Sequence, residues 1–472
     1  MTSRVHPALW TATHLPNGSY AKPDAARDWR SSLAMELSLR GMTSELWLIL
    51  GYIVLTGIGD LRAARLSVQV GRSPIFLTDI TLLLLLLVSF VREPARVLYW
   101  GSNGVGAGPV GRAVWILCIL SVVYFVLAFP EYHIYATRDL AIFGYCLFFP
   151  LIYFAIRDRR DAARLLRYFT YSGVILALML LFQGAIAGFK GHLELTNGAP
   201  IGIHSSLLRR TVSELGTEDA GARSIFSLAA LSAYMIFDNQ LRYFHVACAI
   251  ACCFALAATT SRAGVVAMVL ASAVTLLYAG RRYRVRYAMF AALFTMLVVV
   301  SPVLPAALPG AGLVRELRIA VLSAARGPSV DPTSRFRVIR WKYAFRLWLL
   351  DPVVGGGFGR PIIPYALQEP SERKGKFNGG MPHNTFLFIA DRMGILGLGL
   401  ILFCWFFIFG RLLATFARMH RADDLAAANI LIAMFGFATL VLFFERPVTN
   451  AGFWIAMAAG ARLTDFQSPA SA

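Results

Sequence analysis

The stretch 82-LLLLLLVSF-90 decides the fold, because nine consecutive residues carry neither a charge nor the alternation of a strand. A strand of a membrane β-barrel alternates apolar and polar side chains. A continuous apolar run is instead typical of a membrane helix, which takes about 20 residues to cross the bilayer. The whole chain is 57% hydrophobic and only 15% charged, whereas soluble domains are about 25% charged. We therefore expect an all-α polytopic membrane protein.

Twelve apolar runs predict twelve transmembrane helices. They lie near residues 44–59, 75–91, 113–129, 139–156, 168–187, 224–238, 243–259, 262–279, 286–304, 384–409, 425–443 and 447–462. The predicted organisation is a cytoplasmic N-terminal tail (1–43), nine helices (44–304), a large loop (305–383), three helices (384–463) and a cytoplasmic tail (464–472).

Short basic loops predict the orientation. Residues 157–167 carry five arginines and residues 280–286 carry four, and such loops remain in the cytoplasm. This rule explains part of the net charge of +19, so we expect no nucleic-acid partner. It also places the 305–383 loop in the periplasm, although that loop holds nine arginines and three lysines against five acidic residues. A basic surface beside the outer leaflet suits an anionic ligand. Part of the loop, from about Arg335 to Asp351, is predicted to be helical.

Two residues at the periplasmic ends of predicted helices are candidates for chemistry. Arg262, in 259-TTSRAG-264, could grip a phosphate with its planar guanidinium, or could simply extend to the lipid headgroups. His383, in 382-PHNTFLFIADRMGILG-397, could act as a general base. Alternatively, it is only a polar residue before a helix that Asn384 caps. The predicted topology brings both residues to the same membrane face.

A base, a phosphate ligand and a basic loop on one face suit glycosyl transfer from a lipid diphosphate. This reaction needs a deprotonated hydroxyl and a stabilised diphosphate leaving group. Arginines can supply the second requirement, and no acidic cluster suited to Mg²⁺ is visible in the external segments. We therefore expect no metal and no cofactor. Glu445 and Arg446, in 443-FFERP-447, either support this site or form an ordinary ion pair at a helix turn.

Three segments resemble the O-antigen ligase and polymerase superfamily. The first has a histidine followed by Asn, Ser or Gln, nine residues, Gly, two residues, and Gly, Thr or Tyr, met here by His383, Asn384, Gly394 and Gly397. The second is 341-WKYAFRLWLLDPVVGGGFG-359, and the third is 260-TSRAG-264.

The resemblance implies a metal-independent, inverting glycosyltransferase with a GT-C-like fold in the bacterial inner membrane. Its active site would face the periplasm. His383 would be the base and Arg262 a diphosphate ligand. The loop arginine of the family precedes the tryptophan by four residues, which selects Arg337, with Arg335 as the neighbouring alternative. The donor would be an undecaprenyl-diphosphate glycan. The acceptor would be lipid A-core or a growing polysaccharide.

Several activities remain open at this stage. Within the superfamily they are O-antigen ligation, polymerisation of O-antigen or exopolysaccharide repeat units, and oligosaccharide transfer to protein. The complete histidine pattern favours the ligase, whereas the long 188–223 loop favours a polymerase. A polysaccharide transporter or flippase is a more distant alternative, and it would concentrate ionisable residues near the middle of the bilayer.

Overall fold

Helices contain most of the described residues, because a chain in lipid must satisfy its backbone polar groups internally. The structure, a computed structural model, describes residues 42–59, 67–70, 73–94, 108–195, 217–238, 240–259, 262–280, 284–285, 332–364, 382–442, 444 and 447–466. All of them belong to one unit, Leu39–Ala472. The predicted helical class is confirmed.

Thirteen α-helices occur among the described residues. In chain order they are α1 Ser44–Gly59, α2 Leu77–Arg92, α3 Pro109–Tyr132, α4 Ile134–Gly144, α5 Phe148–Ala155, α6 Arg159–Leu195, α7 Thr217–Phe237, α8 Arg242–Thr259, α9 Arg262–Tyr278, α10 Pro332–Trp348, α11 Thr385–Met419, α12 Ala422–Ala438 and α13 Pro447–Asp465. A 3-10 turn, Tyr145–Leu147, joins α4 to α5. A small antiparallel hairpin of β1 Ser67–Val70 and β2 Ser73–Phe76 precedes α2 and is an addition to the predicted helices.

Helices occupy eleven of the twelve predicted spans, and the remaining span, 286–304, lies outside the described residues. Three segments in the described part of the chain are long and apolar enough to cross a membrane by themselves. They are Pro109–Tyr132, Ile134–Ala155 and Thr385–Met419. The protein is therefore described as a helical membrane protein, and the count of twelve spans stays a prediction. The predicted N-terminal tail is described only from residue 42 onwards, and the C-terminal tail only to residue 466.

Helix α12 lies at the centre of the bundle and packs against α7, α9, α11 and α13. Its Asn429 is fully buried, and the amide Nδ2 donates to Thr275 Oγ1 (2.7 Å), Ser232 Oγ (3.0 Å) and the carbonyl of Ala229 (3.2 Å). Hydrogen bonds of this kind hold helices together in lipid, where apolar contact alone gives little preference for protein over lipid. One side chain thus connects α12 to both α7 and α9.

Partly buried ion pairs hold the helices together at the end of the bundle where α12 begins. Asp424 pairs with Arg159 (2.5 Å), and Asp423 pairs with Arg167 (3.1 Å) and accepts a hydrogen bond from Tyr234 Oη (3.1 Å). Both acids lie in the first turn of α12, where the helix dipole also favours negative charge. At this end, which we call the Asp424 end, ion pairs join α6 to α12 and a hydrogen bond joins α7 to α12.

Candidate functional site

Helix α11 starts beside the end of α12 that lies opposite the Asp424 end. We call this end of the bundle the His383 end. Asn384 caps α11, since its Oδ1 accepts the amide of Leu387 at 3.0 Å. Its Nδ2 donates to the carbonyl of Thr439 (2.8 Å), and Thr385 Oγ1 donates to the carbonyl of Val441 (2.7 Å). The beginning of α11 is therefore attached directly to the turn 439–441 that follows α12.

His383 comes immediately before this cap. Its backbone has φ of +51°, which is uncommon for a residue with a side chain, and the residue is only partly buried. The cap and the two hydrogen bonds to the 439–441 turn fix the backbone next to His383. The imidazole therefore belongs to a fixed helix terminus and is partly exposed.

Arg337 reaches the same turn from α10. Its Nη1 donates to the carbonyl of Leu440 at 3.4 Å, between the two carbonyls that Asn384 and Thr385 bind. Residues 383–385, at the start of α11, are called the His383 junction. The structure thus brings Arg337 and this junction together around three consecutive residues of the chain. Position 335 lies roughly 200° around α10 from position 337, since each helical residue turns by about 100°.

Arg262 is the first residue of α9, which runs antiparallel to α12. Thr275 bonds to Asn429, while a Cβ built on Gly436 would lie 3.2 Å from the Cα of Ala267. Because Arg262 lies further towards the same end than Ala267, it starts its helix at the His383 end. The described residues therefore place Arg262, Arg337 and His383 at one end of the bundle. Glu445 and Arg446 lie outside the described residues.

A buried ion pair lies beneath this site, and sequence reasoning missed it. Arg392 Nε and Asp139 Oδ2 are 2.7 Å apart, and each side chain is only 2% exposed. The neighbouring Asp391 is also buried, 3.6 Å from the same guanidinium. All three residues fall inside predicted spans, where charge is rare and marks a functional or structural site. That signal was present in the sequence, but it does not reveal which charges pair.

The ion pair holds the glycine-rich loop 355–360. Asp139 Oδ2 accepts the amide of Gly359 at 2.7 Å, and Arg392 Nη1 donates to the carbonyl of Arg360 at 2.5 Å. Phe358 is fully buried, with its ring stacked between those of Tyr124 (5.6 Å) and Phe143 (5.2 Å). Charge, backbone hydrogen bonds and aromatic packing therefore fasten this loop to α3, α4 and α11.

Helix α11 breaks at Gly394 to receive the same loop. Gly394 has φ of +63° and ψ of −162°, a backbone conformation that is essentially confined to glycine. A Cβ built there would overlap the carbonyl of Val353. The amide of Ile395 is released by the break and donates to the carbonyl of Pro352 at 2.9 Å. The glycine of the sequence pattern is thus required by a close approach of two backbones.

Gly394→Ala is expected to lower the free energy of unfolding by more than about 1–3 kcal/mol. Alanine is strained in this backbone conformation, and its Cβ would also overlap the carbonyl of Val353. The matched control is Gly399→Ala, since no atom lies within 4 Å of a Cβ built on Gly399 and alanine is the better helix former. Unfolding in sodium dodecyl sulfate titrations measures both. Equal stability of the two variants would contradict the assigned role of Gly394.

These observations define a class, namely helical membrane proteins whose candidate site gathers a histidine and arginines at one end of the bundle. Residues 247–403, about a third of the chain, match the family model described as O-antigen ligase, which confirms the resemblance drawn from the sequence. This segment of the chain is therefore similar to the O-antigen ligase domain. The matched segment includes Arg262, Arg335, Arg337, His383 and Asn384. The search of curated proteins found no match to this chain.

Proposed function

We propose that this protein transfers a glycan from an undecaprenyl-diphosphate carrier to an acceptor hydroxyl at the periplasmic face of the inner membrane, as an O-antigen ligase. One observation carries the proposal. Arg337 and the His383 junction bind consecutive carbonyls of the 439–441 turn. This attachment supports a site in which a base and a cation share one scaffold at the end of the bundle.

In the proposed reaction His383 removes the proton from the acceptor hydroxyl. The acceptor oxygen then attacks the anomeric carbon of the first sugar, and the bond between that carbon and the diphosphate oxygen breaks. The diphosphate leaves with the bonding electron pair. A single displacement of this kind inverts the anomeric centre.

The arginines would hold the leaving group without requiring a metal. Guanidinium groups bind phosphate oxygens through paired, charge-assisted hydrogen bonds. Arg337 is preferred to Arg335 because it reaches the turn beside His383, and the start of α9 puts Arg262 at the same end of the bundle. Fixed cations near the carrier's phosphates would stabilise the charge that develops as the bond breaks.

The depth of the buried charges favours a transferase over a transporter. Asp139 is the sixth residue of α4 and Arg392 the eighth of α11, so they lie only about 7–11 Å from the helix starts at 1.5 Å per residue. The acids Asp423 and Asp424 lie in the first turn at the opposite end. These charges sit towards the ends of the bundle, whereas a transport path needs them near its middle.

Deletion of the gene, followed by gel analysis of surface glycans, tests the proposal. A ligase predicts lipid A-core without attached polymer, while polymer accumulates on the carrier lipid. Core that bears a single repeat unit would replace the ligase by an O-antigen polymerase. Loss of free exopolysaccharide with normal lipopolysaccharide would indicate an exopolysaccharide polymerase, and unchanged glycans would refute glycan transfer altogether.

A further inference from the structure

The turn that follows α10 exposes a continuous apolar surface. Leu349, Leu350, Val353 and Val354 are each about half exposed or more, and Leu350 reaches 69%. We call residues 349–354 the apolar tip. A cluster of exposed aliphatic side chains in water is unfavourable and marks a surface that contacts an apolar partner.

The apolar tip lies against the side of a helix long enough to cross the membrane. Tyr124 of α3 donates its hydroxyl to the carbonyl of Val354 at 2.5 Å. The exposed residues Val123, Val126 and Leu127 surround Tyr124 on α3. Tyr124 lies eight residues before the end of α3 at Tyr132, which is about 12 Å along the helix. The tip therefore lies beside a stretch of α3 whose apolar side chains are exposed.

Helix α11 borders the tip on the other side. Its Ile395 and Leu396 are about half exposed, and their amides donate to the carbonyls of Pro352 (2.9 Å) and Val353 (3.4 Å). The apolar tip thus joins the exposed apolar surfaces of two helices that are each long enough to span a membrane. Its outer surface is continuous with the surface that those helices present to lipid.

Part of the tip backbone is paired within the protein, which lowers the cost of placing it in lipid. Pro352 has no N–H group to satisfy. The amides of Leu349, Leu350 and Asp351 donate to the carbonyls of Phe345 (3.0 Å), Leu347 (3.2 Å) and Trp348 (3.1 Å). The amides of Val353 and Val354 have no backbone acceptor among the described residues, whereas those of the following Gly355 and Gly356 donate to the carbonyls of Asp351 (2.8 Å) and Asp391 (2.6 Å).

The charges around the tip are compatible with this location. Asp351 is half exposed, and its carboxylate lies 3.6 Å from Arg360 Nη1, so its charge is opposed by a neighbouring cation. Arg346 and Lys342 are exposed about one and two turns before the tip. Long basic side chains at such positions extend to the lipid phosphates while their alkyl stems stay in the apolar layer.

We propose that residues 345–356 form a re-entrant element, whose apolar tip sits among the acyl chains of phospholipids in the leaflet at the His383 end. The 305–383 segment is then not wholly outside the bilayer, and the glycine-rich loop is anchored from below by lipid contact as well as by the Asp139–Arg392 pair. This inference rests on exposure and hydrogen bonding alone, so it is independent of the proposed function.

Photocrosslinking in native membranes tests the proposal. The photoreactive residue p-benzoylphenylalanine is placed at Leu350, at Leu127 as a lipid-facing reference on α3, and at Gln240, which is exposed in the turn between α7 and α8. Irradiated protein is purified, and its adducts are identified by mass spectrometry. Phospholipid adducts are expected at positions 350 and 127, and none is expected at position 240.

Two results would overturn the proposal. Absence of lipid adducts at 350, with phospholipid adducts at 127, would place the tip in water or against another protein. Adducts at 350 with the polyprenyl carrier alone would make the surface a donor-binding site rather than a contact with bulk lipid. Monodisperse elution of all three variants in detergent shows that the substitutions leave the fold intact.

Discussion

Replacement of His383 by alanine is expected to abolish glycan transfer, while the protein remains folded and inserted. A general base contributes about 10²–10⁴-fold to the rate of a reaction, and the loss of that factor would leave no detectable product in cells. The bonds that fix the start of α11 come from Asn384 and Thr385, so the junction keeps its attachments in the variant. Complementation of the deletion strain, followed by gel analysis of its glycans, measures the effect.

His420 offers a matched control for this experiment. It ends the same helix at the Asp424 end, and its backbone φ is +51°, the same as that of His383. His420→Ala therefore makes the same chemical change at the same backbone conformation, far from the candidate site. Transfer should be normal in this variant. Equal loss of transfer in both variants, or normal transfer in His383→Ala, would remove the histidine from the mechanism.

The sequence predicted the helices well because membrane helices are determined locally. An apolar run satisfies its own backbone within the helix, so its existence follows from composition. Helix lengths were less accessible. Helix α6 extends over 37 residues and α11 over 35, well beyond the predicted spans 168–187 and 384–409. Before residue 168, α6 is held by the ion pairs of Arg159 and Arg167, and after residue 409, Phe416 of α11 packs against Phe237 and Tyr278. Hydropathy does not record these contacts.

The candidate site was only partly predictable. The sequence identified Asn384 as a cap and His383 as the residue before it, because both are local features of a helix start. The sequence does not show which face of α10 meets the 439–441 turn, and this face distinguishes Arg337 from Arg335. Tertiary structure also created the break at Gly394, which exists to admit a loop from 40 residues earlier in the chain.

The Asp139–Arg392 pair was the least predictable feature, since its members are 253 residues apart in sequence, and it supports the second large prediction. Asp139→Ala should lower the free energy of unfolding by about 3–5 kcal/mol, because the buried Arg392 guanidinium loses its near carboxylate and keeps only the more distant Asp391. The amide of Gly359 loses its acceptor as well. Arg392→Ala should cost a similar amount, since it leaves Asp139 and Asp391 buried together. Equilibrium unfolding in sodium dodecyl sulfate measures both changes.

A more exposed pair provides the comparison that makes this test specific. Arg92 and Glu45 are 2.6 Å apart, and their side chains are 42% and 11% exposed, so Arg92→Ala should cost less than either buried alanine variant. The double variant Asp139→Leu/Arg392→Met removes both buried charges at once and should be more stable than either single alanine variant. Single variants as mild as Arg92→Ala would show that water reaches the pair. A double variant as unstable as the sum of the two single alanine variants would mean that the two residues act separately, each through its own hydrogen bond to the glycine-rich loop.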